Sequence, residues 1–78
     1  MHKSKLVLLG LKFRKARLLR GLTQERLAHK IDRDHPAITR LEKGRTNPTY
    51  MFLVDICEAL EMDLSTVLEL KLIDREEE

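Results

Sequence analysis

The sequence predicts an all-α fold of five short helices, and three observations carry that prediction. Apolar residues recur at three- and four-residue steps along most of the chain. Threonine and aspartate residues that start helices, and glycines that stop them, punctuate those runs. No segment reads as a strand. With 78 residues the chain holds one domain, and 42% hydrophobic content suffices for one small core. Aromatic content is only 4%, so that core is built from Leu, Ile, Val, Ala and Met. The expected layout is a polar N-terminal tail over residues 1–5, a single compact domain over 6–74 and an acidic tail over 75–78.

The first helix is expected from Leu6 to Arg20. Leu6, Leu9, Phe13 and Ala16 make its apolar stripe, and Lys12, Arg14, Lys15 and Arg20 occupy its other faces. Gly21 ends it as a left-handed cap. Thr23 caps a second helix, and Glu25 in its first turn complements the helix dipole. Leu27, Ala28 and Ile31 form its inner face. Asp32-Arg33-Asp34 reads as a turn, with Asp34 capping a third helix. Pro36 falls in the first turn of that helix, where a missing N–H costs nothing. Ile38 and Leu41 point inward, and Gly44 stops the helix. After the loop 45–48, Thr49 caps a fourth helix with Leu53, Ile56, Cys57 and Leu60 on its buried stripe. Asp63 or Ser65 caps a fifth, which runs through Val67, Leu68 and Leu70 toward Ile73. Connections of two to six residues fold these elements into a compact bundle.

The net charge of +2 conceals a strong asymmetry. Residues 1–48 hold six Lys and seven Arg against Glu25, Asp32, Asp34 and Glu42, a net +9. Residues 49–78 hold Lys71 and Arg75 against nine acids, a net −7. A separation of this kind suits a basic half that meets a polyanion and an acidic half that does not. One cysteine rules out an intrachain disulfide framework. No apolar run approaches the roughly 20 residues that span a bilayer. Lys12, Arg14 and Lys15 interrupt the stretch Leu6–Leu11 too early for a secretory signal, so the cytoplasm is the expected compartment.

Two short helices joined by a tight turn, the second flanked by basic residues, describe a helix-turn-helix. The residues are specific. The run Gly21-Leu22-Thr23-Gln24-Glu25-Arg26-Leu27-Ala28 is followed by Ile38-Thr39-Arg40-Leu41-Glu42-Lys43-Gly44-Arg45 and then Asn47-Pro48. Ala59-Leu60 and Asp63-Leu64-Ser65, with Val67-Leu68, continue the series. In this order and spacing the chain resembles the Cro/repressor-type (Xre) helix-turn-helix family over about residues 9–70. The resemblance implies a compact five-helix, lambda-repressor-like helix-turn-helix domain. It implies that the third helix lies in the major groove of double-stranded DNA and the second lies across the backbone.

Carried onto this sequence, the resemblance places His35, Pro36, Thr39 and Arg40 at base-reading positions. Arg40 has the fork geometry for guanine O6 and N7, and Thr39 suits a phosphate or a thymine methyl. Thr23, Gln24, Arg33, Lys43, Arg45 and Asn47 are the expected phosphate contacts, Gln24 through its amide beside a helix N-terminus. Arg14 and Lys15 extend the basic face. Arg17 and Glu42 match a structural salt bridge between the first and third helices of relatives. Three positions depart from the family pattern. Pro36 offers only apolar contact where a polar reader often sits. Arg33 replaces an apolar turn residue, and either snorkels over the core or reaches a phosphate. Asp32 replaces a glycine, and aspartate tolerates the left-handed conformation better than most residues.

The remaining candidates have plainer readings. Cys57 reads as a small core residue. His2, His29 and His35 do not fall at a spacing that makes a metal site with Cys57. No nucleophile–base pair, paired-carboxylate pocket or phosphate-cradling glycine loop is visible, so neither an enzyme, a cofactor nor a small-molecule ligand is expected. Apolar residues of the last two helices exceed what one small core needs. Tyr50, Met51, Val67, Leu70 and Ile73 are therefore the expected dimer interface. A two-fold dimer would set two recognition helices about 34 Å apart, one DNA turn. The resemblance thus implies a homodimeric transcriptional regulator of a palindromic operator, of phage-repressor, restriction–modification controller or antitoxin type. The competing reading, suggested by Pro36, is a protein-interaction adaptor that kept the fold without reading DNA.

Overall fold

A computed structural model describes residues 4–72. Five α-helices follow in order: α1 (Lys5–Leu19), α2 (Gln24–Lys30), α3 (His35–Glu42), α4 (Tyr50–Leu60) and α5 (Leu64–Leu68). No strand occurs among the described residues. Four of the five starts have a local side-chain cause. Ser4 Oγ accepts from the Val7 amide, Thr23 Oγ1 from Arg26, Asp34 Oδ1 from Ala37 and Thr49 Oγ1 from Phe52, all at 3.1–3.2 Å. Each such bond satisfies an amide that a helix N-terminus leaves orphaned, and contributes about 0.5–2 kcal/mol. Asp63 stands at the N-cap of α5 without a side-chain bond.

Two boundaries differ from the sequence expectation. Ser4 and Lys5 belong to the first helix rather than to a tail, because the serine hydroxyl supplies a cap one residue ahead of the apolar stripe. The fifth helix stops at Leu68, and Glu69 is its C-cap, so Leu70 lies beyond it. Ile73, the acidic tail over 75–78 and residues 1–3 lie outside the described residues.

The helices close on one core. Phe13 and Ala16 of α1, Leu27 of α2, Ile38 and Leu41 of α3, Ile56 and Leu60 of α4 and Val67 of α5 are all nearly or fully buried. Val67 is 0% exposed, so it serves this core and not a dimer surface, which corrects the expectation for that residue. Leu70 is half-buried and packs against the same cluster. Tyr50 and Met51 stand out at 68% and 62% exposed, as a surface contact requires.

Helix α1 lies close against α3, and Gly10 is the reason it can. A Cβ there would sit 2.3 Å from the Leu41 carbonyl oxygen and 2.7 Å from that of Glu42. Just past the same C-terminal end of α3, Gly44 takes a φ of +71°, and a Cβ on it would meet the Val7 backbone at 2.7 Å. Both glycines thus let backbone approach backbone. Helix α1 thus grips the C-terminal end of α3, and Gln24 of α2 bonds to His35 and Thr39 nearer its start.

Candidate nucleic-acid interface

The turn between α2 and α3 is short, and the amides of Ile31, Asp32 and Arg33 all donate back to α2 carbonyls. Ile31 closes α2, Asp32 adopts the left-handed conformation at φ 57°, and the Arg33 amide donates to the Ala28 carbonyl at 2.9 Å. Asp34 then caps α3, and Pro36 lies in its first turn. Asp32 therefore performs the conformational task anticipated for it. Because Ala37, Ile38, Leu41 and Glu42 face inward, His35, Pro36, Arg40 and Lys43 face solvent, and Thr39 is half-buried.

A polar chain runs from the interior to this exposed face. Arg17 Nε donates to Glu42 Oε2 at 2.7 Å and Nη2 to Glu42 Oε1 at 3.0 Å, with both side chains buried. Arg17 Nη1 donates to the Leu22 carbonyl at 2.7 Å, so three of its N–H groups are satisfied. Glu42 Oε1 also accepts from Gln24 Nε2 at 2.9 Å. Gln24 Oε1 in turn meets His35 Nε2 at 2.9 Å and accepts from Thr39 Oγ1 at 3.0 Å. The expected Arg17–Glu42 bridge is thus present in a forked geometry that fixes both partners. Gln24 has a structural role beside its expected phosphate contact. Its carbonyl is committed to α3, and one of its two amide hydrogens is committed to Glu42.

Arg33 lies over the core edge yet stays exposed, so both of its anticipated courses are open to it. Its guanidinium carbon lies 4.4 Å from the centroid of the Phe52 ring, a cation–π contact that covers the core edge. Arg33, Arg40, Thr46, Asn47 and Thr49 line one side of an open cleft of about 220 Å³ between α3 and the start of α4. Lys43, Arg45 and Asn47 are exposed on the segment that leaves α3. The structure therefore gathers the expected residues into two groups. His35 and Thr39 join Gln24, while Arg33, Arg40 and Asn47 share the cleft. Thr23 is exposed and caps α2, which leaves its hydroxyl hydrogen able to donate.

Several basic residues have structural work that charge alone did not disclose. Lys12 Nζ donates to the Leu68 carbonyl and Lys15 Nζ to the Lys71 carbonyl, tying α1 to the end of α5. Lys15 is thereby directed at the chain's own carbonyls rather than at an extended basic face. Arg20 donates to the carbonyls of Leu60 at 2.6 Å and Glu61 at 3.1 Å, closing the end of α4. A glycine inside a helical pattern was the signal for the close approach at Gly10. Nothing local signals the carbonyl partners of Lys12, Lys15 and Arg20. Burial and then the Asp63 carboxylate push the Cys57 thiol above its ordinary pKa, as suits a neutral core residue. Among the described residues no group of three His, Cys, Asp or Glu side chains is placed to hold a metal. No helix among them is long and apolar enough to cross a membrane.

A short helix that exposes Arg40 and its C-cap Lys43, seated on a second short helix through a four-residue turn, defines a helix-turn-helix protein. The chain belongs to the Cro/repressor-type helix-turn-helix family, whose model, described as helix-turn-helix, matches residues 13–67. No curated protein matches the chain. Solved structures do. The clp gene regulator ClgR from Corynebacterium glutamicum superimposes with a TM-score of 0.83 at 26% identity, over 87% of each chain. The restriction-modification controller protein C.AhdI from Aeromonas hydrophila gives 0.79 at 26% identity, over 83% of this chain and 98% of that one. The controller protein C.Esp1396I, solved as a tetramer with its natural 35 base-pair operator, gives 0.76 at 32% identity, over 86% and 90%.

Proposed function

We propose that this protein is a cytoplasmic, non-enzymatic transcriptional regulator that binds a palindromic operator as a homodimer. Helix α3 enters the major groove. His35, Pro36, Thr39 and Arg40 face base edges, and Thr23, Arg33, Lys43, Arg45 and Asn47 hold phosphates, with the spare amide hydrogen of Gln24 beside them. The observation that carries this reading is the rigid seat of α3. A helix that reads bases must be held in register, and the buried fork of Arg17 on Glu42 fixes α3 against α1 while Gln24 fixes it against α2. Exposed Arg40 then stands on a braced helix beside a basic cleft. Restriction–modification control is the favoured type, because two of the similar structures carry that role.

Dimerisation through Tyr50, Met51 and the half-buried Leu70 supplies the two-fold symmetry a palindrome needs. Tyr50 also borders a groove of about 330 Å³ with Val54, Cys57, Met62 and Leu64, edged by Glu58, Glu61 and Asp63. Those acids keep this end of the molecule away from phosphates.

Selection from random duplex DNA tests the proposal. An inverted repeat should be enriched, and affinity should fall steeply with salt as bound phosphates release counterions. Failure to enrich any motif at low salt would overturn it in favour of a protein-interaction adaptor.

A further inference from the structure

We infer that His35 presents a bare ring nitrogen to DNA and therefore selects a base bearing an exocyclic amine, adenine or cytosine, at the position it faces. The inference rests on the proposed reading of α3 as the base-contacting helix. It follows from which atom donates at each link of the polar chain. The Glu42 carboxylate is bound by the Arg17 fork and can only accept. The group 2.9 Å from its Oε1 must therefore be the NH2 end of Gln24. The opposite amide orientation would bring two acceptor oxygens together with no hydrogen between them. That fixes the Gln24 carbonyl toward α3, where Thr39 Oγ1 donates to it at 3.0 Å.

The same carbonyl lies 2.9 Å from His35 Nε2. A carbonyl oxygen has no hydrogen to give, so Nε2 carries the proton. In a neutral imidazole only one ring nitrogen is protonated, which leaves Nδ1 with a free lone pair. Nδ1 has no hydrogen-bond partner among the described residues, and the His35 side chain is exposed. Pro36, the next residue, has no amide hydrogen to offer it. The interior ion pair thus sets the hydrogen-bonding sense of an exposed side chain on α3, through one amide. Adenine offers N6 and cytosine N4 as donors in the major groove, whereas guanine O6 and N7 and thymine O4 are acceptors. Arg40, a pure donor, has the opposite preference and suits guanine. One helix then carries an acceptor and a donor five residues, about 1.4 turns, apart.

Two measurements decide the matter. In the free protein at about pH 8.5, well above the ordinary imidazole range, ring 1H–15N correlations of His35 should show a protonated Nε2 and a bare Nδ1. The reverse pattern overturns the inference without touching the proposed DNA binding. Second, random-sequence selection is run on the wild type, on His35→Ala and on Gln24→Ala. The half-site position that His35→Ala relaxes should be adenine or cytosine in the wild type. Guanine there should weaken wild-type binding by about 5- to 150-fold. Gln24→Ala should blur the ring pattern toward both tautomers and relax the same position while His35 is still present. Guanine or thymine at that position, or no position relaxed by His35→Ala, overturns the inference although the protein binds DNA. Absence of any enriched site overturns the DNA reading itself, and the base assignment with it.

Discussion

Arg17 on α1 and Glu42 at the end of α3 form a buried, forked ion pair 25 residues apart in sequence. It sits where the two helix backbones come closest, one of the contacts being the Glu42 carbonyl against Gly10. Each partner also serves another group: Arg17 bonds the Leu22 carbonyl and Glu42 orients Gln24. The pair therefore joins three helices and aims one polar side chain toward α3.

Breaking this pair from one side should be costly. Arg17→Met leaves a buried carboxylate with only the Gln24 amide, a situation that costs about 3–5 kcal/mol. Urea denaturation followed by circular dichroism measures it. The double variant Arg17→Met/Glu42→Leu should recover much of that loss, because no lone charge remains. A single variant as stable as the wild type would show that the fork holds nothing.

Gly10→Ala tests the helix contact itself. A methyl group 2.3 Å from the Leu41 carbonyl oxygen must push α3 away from α1, since backbone rather than a flexible side chain stands in its path. Overpacking of this kind costs about 1–3 kcal/mol, offset only slightly by alanine's better helix propensity. Thermal melting should show the loss. An unchanged midpoint would mean that the two helices can part freely.

Much of this architecture was legible because it is written locally. Thr23, Asp34 and Thr49 cap helices where the sequence placed them, and the periodic stripes closed on one core. Asp32 took the left-handed conformation that its position demanded. What escaped is tertiary. Val67 looked available for a partner because a five-residue helix has too few turns to reveal its inner face. Gln24 matched a phosphate ligand by family position, but its carbonyl is claimed by residues 11 and 15 positions away. Lys15 counted as part of a basic face, yet it is spent on the Lys71 carbonyl, a partner no local pattern discloses.

Cys57 gives a pH-dependent prediction. Burial raises its thiol pKa in the folded chain above the unfolded value of about 8.5. The folded state thus favours the protonated thiol. That contribution is fully present below the unfolded pKa and is lost as pH rises through the folded one. Stability should fall between mildly alkaline pH and the folded pKa, and Cys57→Ala should flatten that part of the profile. Alkylation by iodoacetamide should be slow in native buffer and fast in denaturant. Equal rates in both would show the thiol to be open.

Arg40 and Lys43 should separate reading from grip. Arg40 is exposed in the last turn of α3, and Lys43 is the C-cap of that helix, where the chain turns away. Arg40→Ala should cost about 1–3 kcal/mol on the preferred site and relax one position per half-site. Lys43→Ala should weaken all sequences alike and lower the salt slope by about one. Selection with each variant checks both, and loss of sequence preference in Lys43→Ala would reverse the two assignments.

Tyr50 and Met51 carry the last prediction. Both are exposed at the start of α4, so replacing them disturbs little of the core. The double variant Tyr50→Glu/Met51→Glu should keep its helical spectrum and its melting midpoint as an isolated chain. If these side chains join two copies, two added carboxylates per protomer must be buried or brought together across the two-fold axis, which opposes association. Sedimentation should then show wild-type dimers at concentrations where the variant is monomeric. On DNA the variant should still bind a half-site but lose the gain in affinity from linking two of them. A variant that sediments with the wild type and holds the full palindrome equally well would move the dimer contact away from α4.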